Sequence, residues 1–168
     1  MITTADLQRL HTAVWSFRDS METTPCPMDA LRFAVTEAAE ALDAWLRLNP
    51  KYKRNHERQE RIEAELADCA IMLITALGRD YQYKLNLHNL RWTYGTNTLE
   101  DVVYQVVSSL KYQGEPSDDT INNKIYIELA LMCVIRKIGD DYEQEISTKM
   151  EKLHTKHAKK AIDKSMPA

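Results

Sequence analysis

The sequence predicts an all-α protein built as a helical bundle, and three observations support this prediction. Only four glycines and five prolines interrupt the 168 residues, so the chain has few turn signals. Apolar residues recur at helical spacing over long stretches. The alternation typical of a strand is not found: residues 104–107 come closest, but the valines around them follow helical spacing better.

Turn and cap residues delimit the predicted helices. The loop before Pro27 ends the first helix, Pro50 ends the second, and Gly78 ends the third. Thr98 and Asp101 have the spacing of a capping box at the start of the next helix. We therefore expect long helices over residues 4–19, 28–48, 57–78, 98–114, 118–138 and 141–160, with a shorter helix or an extended segment over residues 83–92.

Composition and charge exclude several classes of protein. Hydrophobic residues make up 44% of the chain and charged residues 28%, which is ordinary for a globular protein. The net charge of −3 gives no reason to expect binding to nucleic acid or to an acidic membrane. No apolar run approaches a membrane span, and the N-terminus lacks the pattern of a signal peptide. The three widely spaced cysteines are interpreted as reduced, so we expect a cytoplasmic protein.

An internal repeat is indicated by two pairs of similar segments. These pairs are residues 77–82 with 138–143 and residues 62–67 with 125–130. The two offsets differ by two residues, so the alignment needs an insertion. A repeated helical hairpin packs as a pseudo-dimer within one chain. We therefore predict one compact domain, with a first repeat over residues 1–95 and a degenerate second repeat with a basic last helix over residues 96–168.

Two acidic pairs in apolar helices carry the functional prediction. Glu37 and Glu40 are three residues apart in the second predicted helix, and Glu65 and Asp68 are three apart in the third. Three residues make almost one helical turn, so each pair lies on one side of its helix. If the helices pack side by side, four carboxylates converge, and a hard divalent cation such as Mg²⁺ would neutralise them.

The second repeat lacks most of these acids. Only Glu65 has an acidic counterpart there, Glu128, whereas the other three acids correspond to Gln105, Ser108 and Leu131. We therefore expect the first repeat to hold the chemistry and the second to act as scaffold.

The acidic motif resembles that of a known superfamily. The pattern Glu37-Ala-Ala-Glu40, a linker, and Glu65-Leu-Ala-Asp68 followed by an apolar stretch is similar to that of the all-α nucleoside triphosphate pyrophosphohydrolases. That superfamily includes MazG-like proteins, dimeric dUTPases and phosphoribosyl-ATP pyrophosphohydrolases. The first predicted helix also resembles the helix that precedes the motif in MazG-like proteins.

A later segment resembles the part of the family that contacts phosphate. Residues 141–152 match it with Lys149 in the lysine position, but Leu153 and Thr155 stand where the family often has Asn and Arg. In the family, more than one subunit contributes to a site, so a fused pseudo-dimer could supply Lys149 across its internal interface. Whether the chain stands alone or pairs into a homodimer is left open.

The resemblance implies hydrolysis of a nucleoside triphosphate to the monophosphate and pyrophosphate. It implies Mg²⁺, with Mn²⁺ as an alternative, held by the four acids of the motif. Glu40 is expected to position the attacking water. Candidates that stabilise the phosphate charge are Lys149, Lys53 and Arg54. The base needs a flat apolar slot, and the candidates for its walls are Trp15, Phe17, Trp45, Tyr81 and Trp92, each of which could instead belong to the core.

Three alternatives compete with this interpretation. Asp68 could be a structural acid, which would need a basic or hydrogen-bonding partner. A ferritin-like di-iron protein needs Glu-x-x-His on two helices, and only Glu151 and His154 fit, so His154 and His157 are interpreted as exposed tail residues. The chain could also be a nucleotide-binding or protein-interaction bundle without turnover.

Overall fold

The helical periodicity of the sequence is realised in six α-helices in the part of the chain that the structure describes. The structure is a computed structural model that describes residues 2–48, 59–85, 98–112 and 120–166. The helices are α1 (Thr4–Asp19), α2 (Pro27–Arg47), α3 (Gln59–Leu77), α4 (Leu99–Tyr112), α5 (Thr120–Ile138) and α6 (Tyr142–Ser165). These ranges contain no strand, so the predicted all-α class is confirmed.

Capping boxes begin two of the helices. At α1, Thr3 Oγ1 accepts from the Asp6 amide at 3.2 Å, and the Thr3 amide donates to Asp6 Oδ2 at 2.7 Å. The capping box predicted before α4 is also present, because Thr98 and Asp101 exchange the same bonds at 3.2 and 3.3 Å. Each box satisfies backbone N–H groups that have no partner within the helix.

Glycines with a positive φ end both α3 and α5. Gly78 has a φ of 88° and Gly139 a φ of 100°, in the left-handed region where only glycine is free of strain. Tyr81 N then donates to the Gly78 carbonyl at 3.3 Å, and Tyr142 N donates to the Gly139 carbonyl at 3.3 Å. Both tyrosines are buried, so each turn fixes the chain against the core.

The core lies between two helical hairpins, α2–α3 and α4–α5. Helix α3 packs against α2, α5 and α6, and α2 also packs against α4. A row of fully buried alanines gives α2 a small-residue face: Ala30, Ala34, Ala38, Ala41 and Ala44. Cys69 Sγ on α3 reaches the backbone carbonyl of Ala34 at 3.3 Å, which shows how closely α2 and α3 approach. This approach brings the acidic faces of the two helices together.

The segment after α3 is described only in part. Residues 83–85 are not helical, and the rest of the short segment predicted over residues 83–92 lies outside the described residues. No helix in the described ranges combines the length and apolar character needed to cross a membrane.

Candidate functional site

Three carboxylates from α2 and α3 converge on one point. Glu37, Glu65 and Asp68 each present an oxygen, and these oxygens all lie within 4.8 Å of one another. All three side chains are partly buried. A set of oxygen donors from carboxylates is the set that hard divalent cations prefer, so the residues present fit a Mg²⁺ or Mn²⁺ ion. We call these three residues the acidic cluster.

Glu40 lies next to the acidic cluster but is not one of its three converging members. It is exposed and sits one turn beyond Glu37 on α2. Its charge is one of those that raise the pKa of Glu37, so it acts on the same region. Its part in metal binding and in positioning water stays a prediction.

Burial and the neighbouring acids together change the protonation of Glu37. Burial raises the pKa of Glu37 to about 7, and the charges of Asp68, Glu40 and Glu65 add to the effect. Near neutral pH the Glu37 carboxyl is therefore protonated in a large share of the molecules. A proton on Glu37 relieves the repulsion that a bound cation would otherwise relieve.

Lys149 of α6 reaches the acidic cluster directly. Its Nζ lies 2.5 Å from Asp68 Oδ2, and the two side chains are only 19% and 13% exposed. Burial raises the pKa of Asp68, while the hydrogen bond and charge of Lys149 oppose that rise. A second, weaker ion pair joins Arg61 Nε to Glu65 Oε1 at 3.4 Å. Asp68 thus has the basic partner that a structural acid requires, and Lys149 stands beside the predicted metal ligands.

Arg18 is a feature of the site that the sequence analysis missed. Its side chain is buried, its Nε donates to Thr75 Oγ1 at 2.9 Å, and its Nη2 donates to Met72 Sδ at 3.2 Å. Burial lowers the pKa of Arg18, and the charge of Asp68 acts in the opposite direction. Periodicity offered no signal, because an arginine near a helix end is usually exposed.

A cleft of about 770 Å³ is lined by Phe33 and Met72, which lie one helical turn from Glu37 and Asp68 respectively. Its walls are the loop over residues 20–25, the face of α3 at Met72 and the second half of α6. Phe33, one turn before Glu37, contributes a ring that is 50% exposed. His154 and His157 are exposed, as predicted, but they line this cleft.

The predicted aromatic residues are spread over different environments. Trp15 is partly buried under the Arg79 guanidinium, which lies 4.9 Å from its ring centroid, and its Nε1 has no hydrogen-bond partner among the described residues. Phe17 belongs to the core, and Trp45 is 44% exposed near the end of α2. Their contact with a base stays a prediction. Lys53, Arg54 and Trp92 lie outside the described residues.

Tyr81 is engaged with Glu128 on α5. Its hydroxyl donates to Glu128 Oε2 at 2.6 Å, and both residues are buried. Glu128 also accepts from the amides of Lys84 at 3.1 Å and Leu85 at 2.8 Å. The predicted counterpart of Glu65 therefore holds the chain that follows α3, and the Tyr81 hydroxyl is already occupied.

Comparisons of the chain with protein-family models, with curated proteins and with solved structures found no match. The function is therefore inferred from the site itself and from the resemblance of its acidic motif.

Proposed function

We propose that the protein is a Mg²⁺-dependent nucleoside triphosphate pyrophosphohydrolase of the MazG-like all-α type. It would convert a (d)NTP and water into a (d)NMP and pyrophosphate. The observation that carries the proposal is the convergence of Glu37, Glu65 and Asp68 within 4.8 Å, next to Lys149. Three partly buried acids are unfavourable without positive charge among them. Lys149 pairs with Asp68, and the more exposed Arg61 pairs with Glu65 at the longer distance of 3.4 Å.

Glu37, Glu65 and Asp68, with Glu40 at the edge, would hold Mg²⁺ or Mn²⁺. When bound, such a cation neutralises phosphate oxygens and makes a nearby water more acidic. Glu40 is suited to orient that water and accept its proton, because it is exposed beside the acidic cluster. The water oxygen bonds to the α-phosphorus while the bond to the β-phosphate oxygen breaks, and pyrophosphate leaves with the electron pair.

Lys149 is suited to stabilise the charge that develops on the phosphates. An ammonium group has three donors, and the bond to Asp68 Oδ2 uses one of them. The remaining donors can reach phosphate oxygens without breaking that bond. Lys149 therefore contributes positive charge at a fixed position rather than from a mobile side chain.

A pseudo-dimeric repeat within one chain is part of the same proposal. The similar turns at Gly78 and Gly139 support it, as does the packing of α2 on α4 and α3 on α5. The repeats would divide near residue 95. Glu128 already accepts hydrogen bonds from Tyr81 and from backbone amides, so the second repeat would serve as scaffold.

The test is pyrophosphate release from a panel of canonical and modified (d)NTPs, with Mg²⁺, Mn²⁺ or EDTA. We expect metal-dependent release from a subset of them, and a loss of at least about a hundredfold in Asp68→Asn and Glu37→Gln. Glu63→Gln removes a carboxylate from the same helix as Asp68 but outside the acidic cluster, so it should retain activity. Circular dichroism checks that each variant is folded.

A nucleotide-binding bundle without turnover is the second candidate. The ion pair of Lys149 with Asp68 favours it, since a positive charge already occupies part of the acidic cluster. Nucleotide binding by calorimetry, without pyrophosphate release from any member of the panel, would replace the enzyme proposal with this one. Full activity in both Asp68→Asn and Glu37→Gln would remove the acidic cluster from either function.

A further inference from the structure

Arg18 is a buried cation whose hydrogen-bond partners are neutral. The residue is 6% exposed, and it donates to the Thr75 hydroxyl and the Met72 thioether. Among the described residues, no carboxylate lies within ion-pair distance of Arg18. The charge of Asp68 acts on Arg18 from beyond ion-pair distance. A guanidinium has five N–H donors, and a buried charge without an ion-pair contact is unfavourable. Because Arg18 also lines the cleft, its free donors are available to an anion there.

The opposite wall of the cleft adds further positive charge. Lys160 and Lys164 from the last turns of α6 line it, whereas Glu22 is the one carboxylate among its described lining residues. This excess of cations occurs in a chain whose net charge is −3, so it is local to the cleft. An arginine fork and two lysine point charges form the usual donor set for phosphate oxygens.

The position of the cleft narrows the class of anion. Phe33 and Met72 on its walls lie one turn from Glu37 and Asp68 respectively, so the cleft adjoins the acidic cluster. A ligand that carries a divalent cation at one end and free negative charge at the other fits both regions. A polyphosphate chain has that character, whereas an isolated carboxylate does not.

We propose that this cleft binds the terminal phosphates of the substrate and retains pyrophosphate, with Arg18 as the fixed contact. The identity of the ligand rests on the proposed function. Arg18 is held in place by Thr75 and Met72, so it presents the same donors before and after the reaction. Lys160 and Lys164 are exposed, so they attract the anion mainly through charge.

Titration calorimetry of the full chain with inorganic pyrophosphate tests this proposal, in EDTA so that the acidic cluster holds no metal. Lys160→Ala/Lys164→Ala should weaken binding by about tenfold or more. The matched control is Lys156→Ala/Lys159→Ala, which removes the same charge from exposed positions of α6 that do not line the cleft. We expect the control to stay within about twofold of the original chain.

The variants Arg18→Lys and Arg18→Met distinguish the hydrogen bonds of the guanidinium from the effect of its charge. Arg18→Lys keeps the charge but loses the planar fork, so it should weaken pyrophosphate binding, and Arg18→Met should weaken it further. If Arg18→Met does not fold, the lysine pairs still decide the proposal, because those side chains are exposed.

Three outcomes overturn the proposal: no binding of pyrophosphate at millimolar concentration, equal losses in the two lysine pairs, or equal affinity for inorganic phosphate and pyrophosphate. The titration involves neither metal nor turnover, so its result is independent of the pyrophosphate-release assay. If the protein hydrolyses a nucleotide but does not bind pyrophosphate in the titration, only the proposal for the cleft is refuted. Binding without hydrolysis supports the cleft and refutes the enzyme.

Discussion

Lys149 and Asp68 form an ion pair that joins α6 to the acidic face of α3, with 2.5 Å between Nζ and Oδ2. The pair explains how Asp68 is tolerated in an otherwise apolar stretch of helix, because an unpartnered charge at that depth would be unfavourable. The same lysine is the residue that the motif resemblance assigns to phosphate. One contact therefore serves both the stability of the free protein and the proposed chemistry.

Removal of the Lys149 ammonium should destabilise the protein. Lys149→Met leaves the Asp68 carboxylate mostly buried and without its cation, so we expect the free energy of unfolding to fall by about 1–3 kcal/mol. Urea denaturation at neutral pH measures this change. Addition of Asp68→Asn to Lys149→Met should recover part of the loss, because the uncompensated charge is then removed.

Lys152→Met is the matched control for that measurement. Lys152 is exposed on the same helix, so its replacement should change the free energy of unfolding by no more than about 0.5 kcal/mol. If Asp68→Asn recovers none of the stability lost in Lys149→Met, the two side chains do not stabilise each other.

The raised pKa of Glu37 predicts a pH-dependent stability. Between its ordinary value of 4.5 and about 7, native Glu37 holds a proton that the unfolded chain has released. The free energy of unfolding should therefore fall as the pH rises through this window. Glu37→Gln should stabilise the metal-free protein at pH 8 by about 1–2 kcal/mol, after allowance for solvent screening, and much less at pH 5.

Urea titrations in EDTA at both pH values measure that difference. Glu63→Gln on α3 provides a control outside the acidic cluster, and its effect should not depend on pH in this way. If the stability difference between Glu37→Gln and the original chain is the same at pH 5 and pH 8, the pKa of Glu37 is not raised in the folded protein.

Local sequence signals predicted most of the fold. Helix α1 matches its predicted bounds, and the capping box at Thr98 and the helix end at Gly78 are where the sequence places them. These features depend on residues close together in the chain, so they can be read without tertiary information. The convergence of Glu37 with Glu65 and Asp68 was also accessible, because each pair lies on one helical face.

Features that depend on contacts between distant segments could not be predicted from local sequence patterns. Nothing in the sequence distinguishes Arg18 from an exposed arginine, since its burial follows from its contacts with α3. The hydrogen bond from the Tyr81 hydroxyl to Glu128 joins residues 47 positions apart, so no local pattern announces it. The repeat identified Glu128 as the counterpart of Glu65, but only the fold shows which donors it accepts.

His11 predicts a second pH effect, of opposite sign to that of Glu37. Its Nε2 lies 2.9 Å from the Arg79 carbonyl, which can only accept, so Nε2 carries the proton and Nδ1 accepts from the Tyr83 hydroxyl at 3.0 Å. Burial lowers the pKa of His11 below its ordinary 6.5. Stability from neutral His11 is thus present above pH 6.5 and is lost as the pH falls towards the native pKa.

His11→Gln should remove this dependence and lower the stability at neutral pH by about 1–2 kcal/mol, because the buried hydrogen bonds are less well satisfied. Denaturation of both proteins at pH 7.5 and pH 5.5 makes the comparison. His157→Gln is the control, since His157 is exposed on α6. If the original chain and His11→Gln lose the same stability on acidification, then another group causes the effect.

Glu128 should be the most sensitive of the acids for stability, although it belongs to the repeat that is proposed as scaffold. Glu128→Ala leaves the Tyr81 hydroxyl and the amides of Lys84 and Leu85 without their acceptor, so we expect a loss of about 3–5 kcal/mol. Urea denaturation measures the loss, and hydrogen exchange should accelerate at these two amides. Glu151→Ala, at an exposed site on α6, should change neither quantity. Unchanged exchange at Lys84 and Leu85 would mean that Glu128 does not hold the chain after α3.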